Sequence, residues 1–172
     1  MRYTLGFLDM DQVAKRVLNW YRGRTEKELR EEITDWFSER VRGHIGHAAR
    51  STVLAHRSSG DLVAIASGAT RYACEPVALE LGIEHIVCTE LEVDEGRLTG
   101  NALPPLCYGP GKLARANAFL ATHGKKIEDA TVYSDSITDL PILSAAGMPV
   151  VVNPDPRLKR HAERHGWRQE VW

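Results

Sequence analysis

Short apolar runs that alternate with helical patterns are the feature that most constrains how this chain folds. Four such runs occur, at positions 62–66, 85–88, 130–133 and 150–152. A strand that is buried on both faces of a parallel sheet has this composition. Apolar residues recur at helical spacing over 46–57, 72–81, 112–123 and 140–146. Strand and helix in turn, joined by short loops, predict an α/β fold with a parallel sheet.

Residues 11–41 follow a different pattern, because helical spacing continues there without an intervening apolar run. A break at residues 23–25 divides this pattern into two helices. Thr25 and Glu28 have the spacing of a capping box, in which a hydroxyl and a later carboxylate bind free amide groups at a helix start. We therefore expect a helical segment over 1–42 and an α/β core over 43–172.

The charge and cysteine content exclude several classes of protein. A formal net charge of -1 over 172 residues gives no overall field toward nucleic acid or an anionic membrane. No apolar run approaches the ~20 residues that a membrane span requires. The three cysteines show no CxxC spacing, which argues against a disulfide framework and a zinc knuckle. Since the N-terminus also shows no signal-peptide pattern, we expect a soluble cytoplasmic protein that binds neither nucleic acid nor membrane.

The first candidate site follows the run at 130–133, where Asp135 and Asp139 lie at the start of a predicted helix. In parallel α/β sheets, ligands bind outside the carboxyl ends of the strands. Mg2+ prefers oxygen ligands and keeps several waters, so two carboxylates and a substrate phosphate can hold it. Aspartate is also a favoured helix N-cap residue. From the residues alone, a metal site and a capping role both remain open for this pair.

Two further positions could bind an anion. The run at 62–66 ends in Ser67 and Gly68, where a hydroxyl and an accessible backbone can donate to phosphoryl oxygens. Lys112 opens a helix after a glycine-rich turn at 109–111. An ammonium group there is unfavourable unless it and the helix dipole share an anion. The alternatives are an ordinary serine at a strand end and a solvated surface lysine.

Taken together, these positions resemble the motifs of the haloacid dehalogenase-like superfamily, in its phosphoserine-phosphatase-like branch (subfamily IB). Ser67 matches the second motif, Lys112 the third, and Asp135 with Asp139 the fourth, in the same order and with similar spacing. Intervening stretches are also similar, at 81–83, 89–92, 96–100, 133–136 and 153–156. The likeness covers nearly the whole chain. It implies a Rossmann-like, three-layer parallel sheet with a small helical cap.

The resemblance also implies a phosphoaspartyl mechanism. In this chemistry an aspartate attacks phosphorus, a second aspartate two positions later acts as general acid and base, and Mg2+ neutralises charge. By this carry-over, Asp135 would ligate Mg2+, while Asp139 would support the metal and pair with Lys112. Ser67, Gly68 and Lys112 would hold the phosphoryl group of a small phosphorylated molecule.

The sequence departs from the family pattern at its first motif, because no DxDGT or DxDGS string occurs. In one interpretation residues 1–42 are the cap, Asp9 caps one of its helices, and the central strand that carries the nucleophile is absent. In the other, residues 3–8 form a degenerate first strand, Asp9 is the nucleophile and Asp11 is the acid and base. Gln12 then stands where a glycine normally lets the chain turn.

These observations predict a Mg2+-dependent phosphomonoesterase of small phosphorylated metabolites. The alternative is a catalytically impaired or truncated relative that binds a phosphate-bearing ligand or a protein partner. Without a central strand, the neighbouring strands would lack hydrogen-bond partners. An oligomer in which another copy completes the sheet is therefore a further expectation.

Overall fold

The computed structural model describes the backbone of residues 4–5 and 8–9 and the whole of residues 16–172. The strands are β1 (Thr4–Leu5), β2 (Leu8–Asp9), β3 (Ala64–Thr70), β4 (His85–Thr89), β5 (Leu91–Asp94), β6 (Arg97–Ala102), β7 (Thr131–Ser134), β8 (Met148–Val152) and β9 (Arg168–Glu170). The helices are α1 (Glu26–Trp36), α2 (His47–Ser58), α3 (Arg71–Leu81), α4 (Pro110–Thr122), α5 (Leu140–Ala145) and α6 (Pro156–His165). Short π- or 3-10-helical turns lie at Phe37–Val41, Arg42–His44, Ile127–Asp129 and Ile137–Asp139.

The core strands form two separate parallel groups. β3 pairs with β4 in one group, and β7, β8 and β9 pair in order in the other. Helices connect successive strands, so each group is built from strand-helix-strand units. The predicted α/β class with a parallel sheet is confirmed. Within the residues that the structure describes, no strand pairs with both β3 and β7.

The helical segment before the core packs against an antiparallel hairpin formed by β5 and β6. Its helix α1 begins as predicted, because Thr25 and Glu28 make both bonds of a capping box. Leu29 on α1 is buried in one cluster with Leu98 on β6 and Tyr72 on α3. This cluster attaches the helical segment to the rest of the molecule.

The first residues of the chain form a small hairpin in the described backbone. β1 and β2 pair antiparallel, with Thr4 opposite Asp9 and Leu5 opposite Leu8. Neither of these two strands pairs with β3 or β7. Asp11 lies outside the described residues. Whether this segment belongs to a cap or replaces a first strand stays a prediction, as does the domain boundary near residue 42.

The most completely buried part of the molecule surrounds β8. Val151 on β8, Leu143 on α5 and Leu158 on α6 are all 0% exposed and form one cluster. A neighbouring cluster joins Ala116 on α4 to Ile142 on α5. β8 therefore packs against helices, as expected for a strand whose sequence is a continuous run of apolar residues. None of the helices within residues 16–172 is long and apolar enough to span a bilayer.

Truncating Leu143 to alanine tests this packing. We expect Leu143→Ala to lower the free energy of unfolding by about 2 to 5 kcal/mol, because it leaves a cavity in a fully buried cluster. Leu79→Ala is a matched control, since Leu79 also lies in a helix but is 85% exposed. Urea denaturation followed by circular dichroism measures both. Equal losses in the two variants would contradict the assigned core.

Candidate functional site

Lys112 and Asp139 form an ion pair at the centre of the candidate site. The Nζ atom of Lys112 lies 2.6 Å from each carboxylate oxygen of Asp139. Both residues are buried, with 8% and 7% of their surface exposed. A buried charge without a partner is strongly unfavourable, so each residue holds the other in its ionised form. The pairing that the family resemblance implied is present.

The turn before α4 explains how Lys112 reaches this position. Gly109 adopts a φ of +51°, a left-handed conformation that glycine tolerates best. Gly111 lies against the carbonyl oxygen of Leu106, where any Cβ atom would collide with it. The chain therefore turns sharply into α4 and places Lys112 in the first helical turn. The anion that this unfavourable position requires is supplied, in this structure, by Asp139.

Asp139 does not act as a helix cap through its side chain. Its carboxylate accepts a hydrogen bond from the Ser134 hydroxyl at 2.8 Å, in addition to its contacts with Lys112. The side chain of Ser136, by contrast, accepts from the backbone N–H of Thr138 and caps the 3-10 turn. The capping interpretation is therefore wrong for Asp139. Ser134 is a partner of the ion pair that the sequence did not assign.

Asp135 lies exposed in the loop that follows β7. Its carbonyl oxygen accepts a hydrogen bond from the backbone N–H of Asp155 at 2.8 Å. The Asp155 carboxylate accepts in turn from the backbone N–H groups of Ile137, Leu158 and Arg157. Burial raises the pKa of Asp155, but these three bonds outweigh it and leave the pKa below its usual value. Asp155 therefore remains ionised and fixes the Asp135 loop against the start of α6.

The role of Asp155 was missed because it depends on contacts between distant segments. A local signal was present, since aspartate followed by proline is typical of a helix start. That signal predicts a cap for α6, which the structure shows. It does not predict the bond to Ile137, which belongs to a different loop.

Ser67 and Gly68 lie within β3, which runs on to Thr70. The Ser67 hydroxyl accepts from the backbone N–H of Ala69 at 3.2 Å. The carbonyl of Gly68 accepts from the Thr89 hydroxyl at 3.0 Å, and the same hydroxyl accepts from the N–H of Cys107 at 3.2 Å. Thr89 therefore holds the carboxyl end of β3 against the loop that leads to Lys112.

The structure places some of the predicted site residues in contact with one another and leaves others without such a contact. Lys112 and Asp139 are in contact. Within residues 16–172, no hydrogen bond or ion pair joins Ser67 or Asp135 to that pair. Asp9 lies in β2, where its backbone pairs with Thr4. The catalytic and binding roles of all these residues stay predictions.

A cleft of about 370 Å³ opens beside the carboxyl end of β7. Its lining includes Tyr133, Ser134 and Asp135 on one side and residues 44–46 and Ala49 on the other. Clefts of this size hold small molecules. Burial raises the pKa of the Tyr133 hydroxyl above its usual value. The Tyr133 hydroxyl lies 2.8 Å from the Nε2 atom of His56 on α2.

Asp135 is the predicted metal ligand that lines this cleft, and its carboxylate is compatible with Mg2+. Both oxygens of Asp139 contact Lys112, whereas no side-chain donor within residues 16–172 contacts the Asp135 carboxylate. No group of three or more potential metal ligands is assembled within the described part of the chain. Mg2+ does not need one, because it is often held by one or two carboxylates, waters and substrate phosphate. Asp135 could supply one such ligand.

Comparison with known proteins identifies the family. The haloacid dehalogenase-like hydrolase model matches residues 1–144. Histidinol-phosphatase of Neisseria meningitidis is 34% identical over 169 residues, which cover 96% of this chain and 76% of that protein. A probable phosphatase of Mycobacterium tuberculosis is 32% identical over 158 residues, covering 92% of this chain and 55% of that protein. Other curated relatives are named phosphoserine phosphatases.

A solved structure confirms the fold. A protein of unknown function from Bordetella pertussis Tohama I superposes with a TM-score of 0.89 at 29% identity, covering 96% of this chain and 75% of that chain. Several of the curated relatives are much longer, and the chain spans about half of their length. The family model and the relative at 34% identity nevertheless cover most of the chain. This chain belongs to the haloacid dehalogenase-like hydrolase family.

Proposed function

We propose that this chain forms the phosphoryl-binding core of a Mg2+-dependent phosphomonoesterase. Its reaction would pass through a phosphoaspartyl intermediate, and its substrates would be small phosphorylated metabolites of the cytoplasm. The observation that carries the proposal is the buried ion pair of Lys112 and Asp139, which fixes an ammonium group beside the turn that follows β7. Phosphoryl transfer depends mainly on such positioning and on stabilisation of charge at the transferred group.

Each site residue has a distinct role in this mechanism. Lys112 binds a phosphoryl oxygen, while Asp139 keeps its ammonium group charged and oriented. Ser67 donates its hydroxyl to a second phosphoryl oxygen, and Gly68 lets the backbone approach the phosphoryl group. Asp135 holds Mg2+, which, when bound, offsets the negative charge that accumulates on the phosphoryl group.

The attacking carboxylate is the remaining requirement. We assign it to Asp9, with Asp11 as general acid and base, or to an equivalent pair on a segment that completes the sheet. Activity that survives in Asp9→Asn would select the second possibility. The same substitution at Asp94, an aspartate on β5 outside the assigned site, is the matched control.

Two observations support a small substrate. The cleft beside Asp135 has the volume of a metabolite site. The relative from N. meningitidis is named for the phosphomonoester of a small metabolite. The three cysteines within the described residues are free, which agrees with a reducing compartment.

Replacing Lys112 tests the role of the ion pair. We expect Lys112→Met to lower kcat for Mg2+-dependent hydrolysis of p-nitrophenyl phosphate by about 100-fold or more, because one preorganised contact to the transition state is lost. The variant also leaves Asp139 buried without its partner, so its folding is checked by thermal denaturation. Lys112→Met/Asp139→Asn removes both charges and keeps the comparison valid if the single variant unfolds.

Lys125→Met is the matched control, since Lys125 is exposed in the loop after α4. It should retain the parent kcat. Full activity in a folded double variant, or equal losses in the control, would contradict the assignment of Lys112 as the phosphoryl-binding residue.

Asp135→Asn tests the metal site without relying on activity. We expect isothermal titration calorimetry with MgCl2 in the presence of inorganic phosphate to show at least about tenfold weaker Mg2+ binding, because a neutral amide replaces a carboxylate ligand. Asp129→Asn alters an exposed aspartate at the end of the 3-10 turn Ile127–Asp129 and should bind Mg2+ like the parent. Unchanged Mg2+ affinity in Asp135→Asn would remove Asp135 from the site.

A further inference from the structure

The last two turns of α6 carry two histidines that lie on the same face of the helix. His161 and His165 are four residues apart, a spacing that brings side chains together on a helix surface. Their rings are stacked, with centroids 4.0 Å apart and planes only 16° from parallel. His161 is half-buried and His165 is exposed, so solvent reaches both rings. Two imidazoles at this spacing on a helix can bind one metal ion together.

A backbone contact determines which nitrogen of His165 is available. Its Nδ1 atom lies 2.8 Å from the carbonyl oxygen of His161. Because a carbonyl oxygen can only accept, Nδ1 carries the hydrogen and the neutral ring has its lone pair on Nε2. Metal-bound histidines commonly donate their other ring N–H in this way, which orients the ring and raises its basicity. His165 therefore has the tautomer and the backbone support of a metal ligand before any ion binds.

His161 is held in place by an aromatic contact. Its ring packs edge-to-face against the indole of Trp167, with centroids 4.9 Å apart, and the same indole lies 6.0 Å from the ring of His165. Within residues 16–172, no hydrogen bond involves a ring nitrogen of His161. Two nitrogens that are each about 2.1 Å from one ion lie about 3 Å apart. Small changes in the side-chain torsions of the exposed His165 bring the stacked rings to this separation.

The pair lies at the opposite end of α6 from the candidate site. Asp155 caps the start of α6 and its N–H bonds to the carbonyl of Asp135. Since β8 and β9 are parallel, α6 runs from the carboxyl ends of the strands back to their amino ends. At about 1.5 Å per residue, the two histidines lie roughly 9 to 15 Å along the helix from Asp155. An ion bound there would share no ligand with the candidate site.

From this geometry we propose that His161 and His165 form a binding site for a divalent transition-metal ion, namely Ni2+, Cu2+ or Zn2+. These ions bind well to imidazole nitrogen, whereas Mg2+ prefers oxygen. Water completes the coordination, because no third histidine, cysteine or carboxylate joins the pair within the described part of the chain. Arg160 and Arg164 are exposed, so solvent screens their repulsion of the ion. The bound ion bridges the last turn of α6 and stabilises the folded chain.

Titration of the full chain with NiCl2 tests the proposal, with Trp167 as the local reporter. Ni2+ is paramagnetic and quenches the fluorescence of an indole at close range. We expect NiCl2 to quench the parent chain with saturation. The quenching should be much smaller in Trp167→Phe, which keeps an aromatic ring against His161. This variant measures the background from the remaining tryptophans, which are Trp20, Trp36 and Trp172.

Removal of either histidine should weaken Ni2+ binding at the Trp167 signal by at least about tenfold, because a single imidazole loses the high effective concentration of the second. His161→Ala and His165→Ala are the test variants, and thermal denaturation without metal checks that each is folded. His47→Ala is the matched control, since His47 is exposed on α2 and has a serine four residues later. It should bind like the parent. Equal affinity in the parent and His161→Ala, or no saturable quenching of Trp167, would overturn the proposal.

Two measurements on the parent chain keep the test valid if a variant unfolds. A large excess of MgCl2 should leave the quenching by Ni2+ unchanged, because Mg2+ binds imidazole poorly. The midpoint of thermal denaturation should rise with NiCl2 and return to its initial value with EDTA, because an ion that binds only the folded chain stabilises it. Displacement of Ni2+ by MgCl2 would place the ion at an oxygen site instead. That result, or a midpoint that NiCl2 does not raise, would contradict the histidine site.

Discussion

The ion pair of Lys112 and Asp139 joins the two halves of this molecule at the end where the strands finish. Lys112 belongs to α4, which packs on β3 and β4, and Asp139 belongs to the turn after β7. A buried ion pair adds little net stability, because desolvation offsets the attraction between the charges. Its presence is better explained by geometry. It fixes the Lys112 ammonium group at a defined point between α4 and the turn after β7.

A second set of polar contacts holds the loops that carry the remaining site residues. Asp155 accepts three backbone hydrogen bonds and connects the loop after β7 to α6. Thr89 connects the end of β3 to the loop that leads to Lys112. Neither side chain needs to touch a ligand to matter. Each satisfies backbone groups that would otherwise lie unpaired beside the site, which makes the loops rigid.

Much of the fold could be predicted because strands that are buried on both faces carry continuous apolar runs. β4, β7 and β8 lie within two residues of their predicted positions. β3 differs more, since it begins at Ala64 and continues to Thr70. Its register with β4 becomes irregular after Ser67, and that extension depends on pairing rather than on local composition. β9 has no apolar pattern and forms only because β8 offers an edge.

The site could be predicted in part for the same reason. A lysine in the first turn of a helix is unfavourable enough to indicate an anionic partner, and the structure supplies one in Asp139. Ser134, Thr89 and Asp155 could not be assigned, because ordinary polar residues acquire their roles only from neighbours that the fold brings close. The sequence left open whether residues 3–8 replace the first strand of the sheet, and that question stays a prediction, because only residues 4–5 and 8–9 of this segment are described.

The buried side chains are distributed unequally between the two groups of strands. The group around β8 has its own fully buried cluster of side chains from α5 and α6. The group of β3 and β4 is attached mainly through α3, α4 and the helical segment. Because local stability follows the density of buried contacts, we expect β8 to exchange its amide hydrogens more slowly than β3.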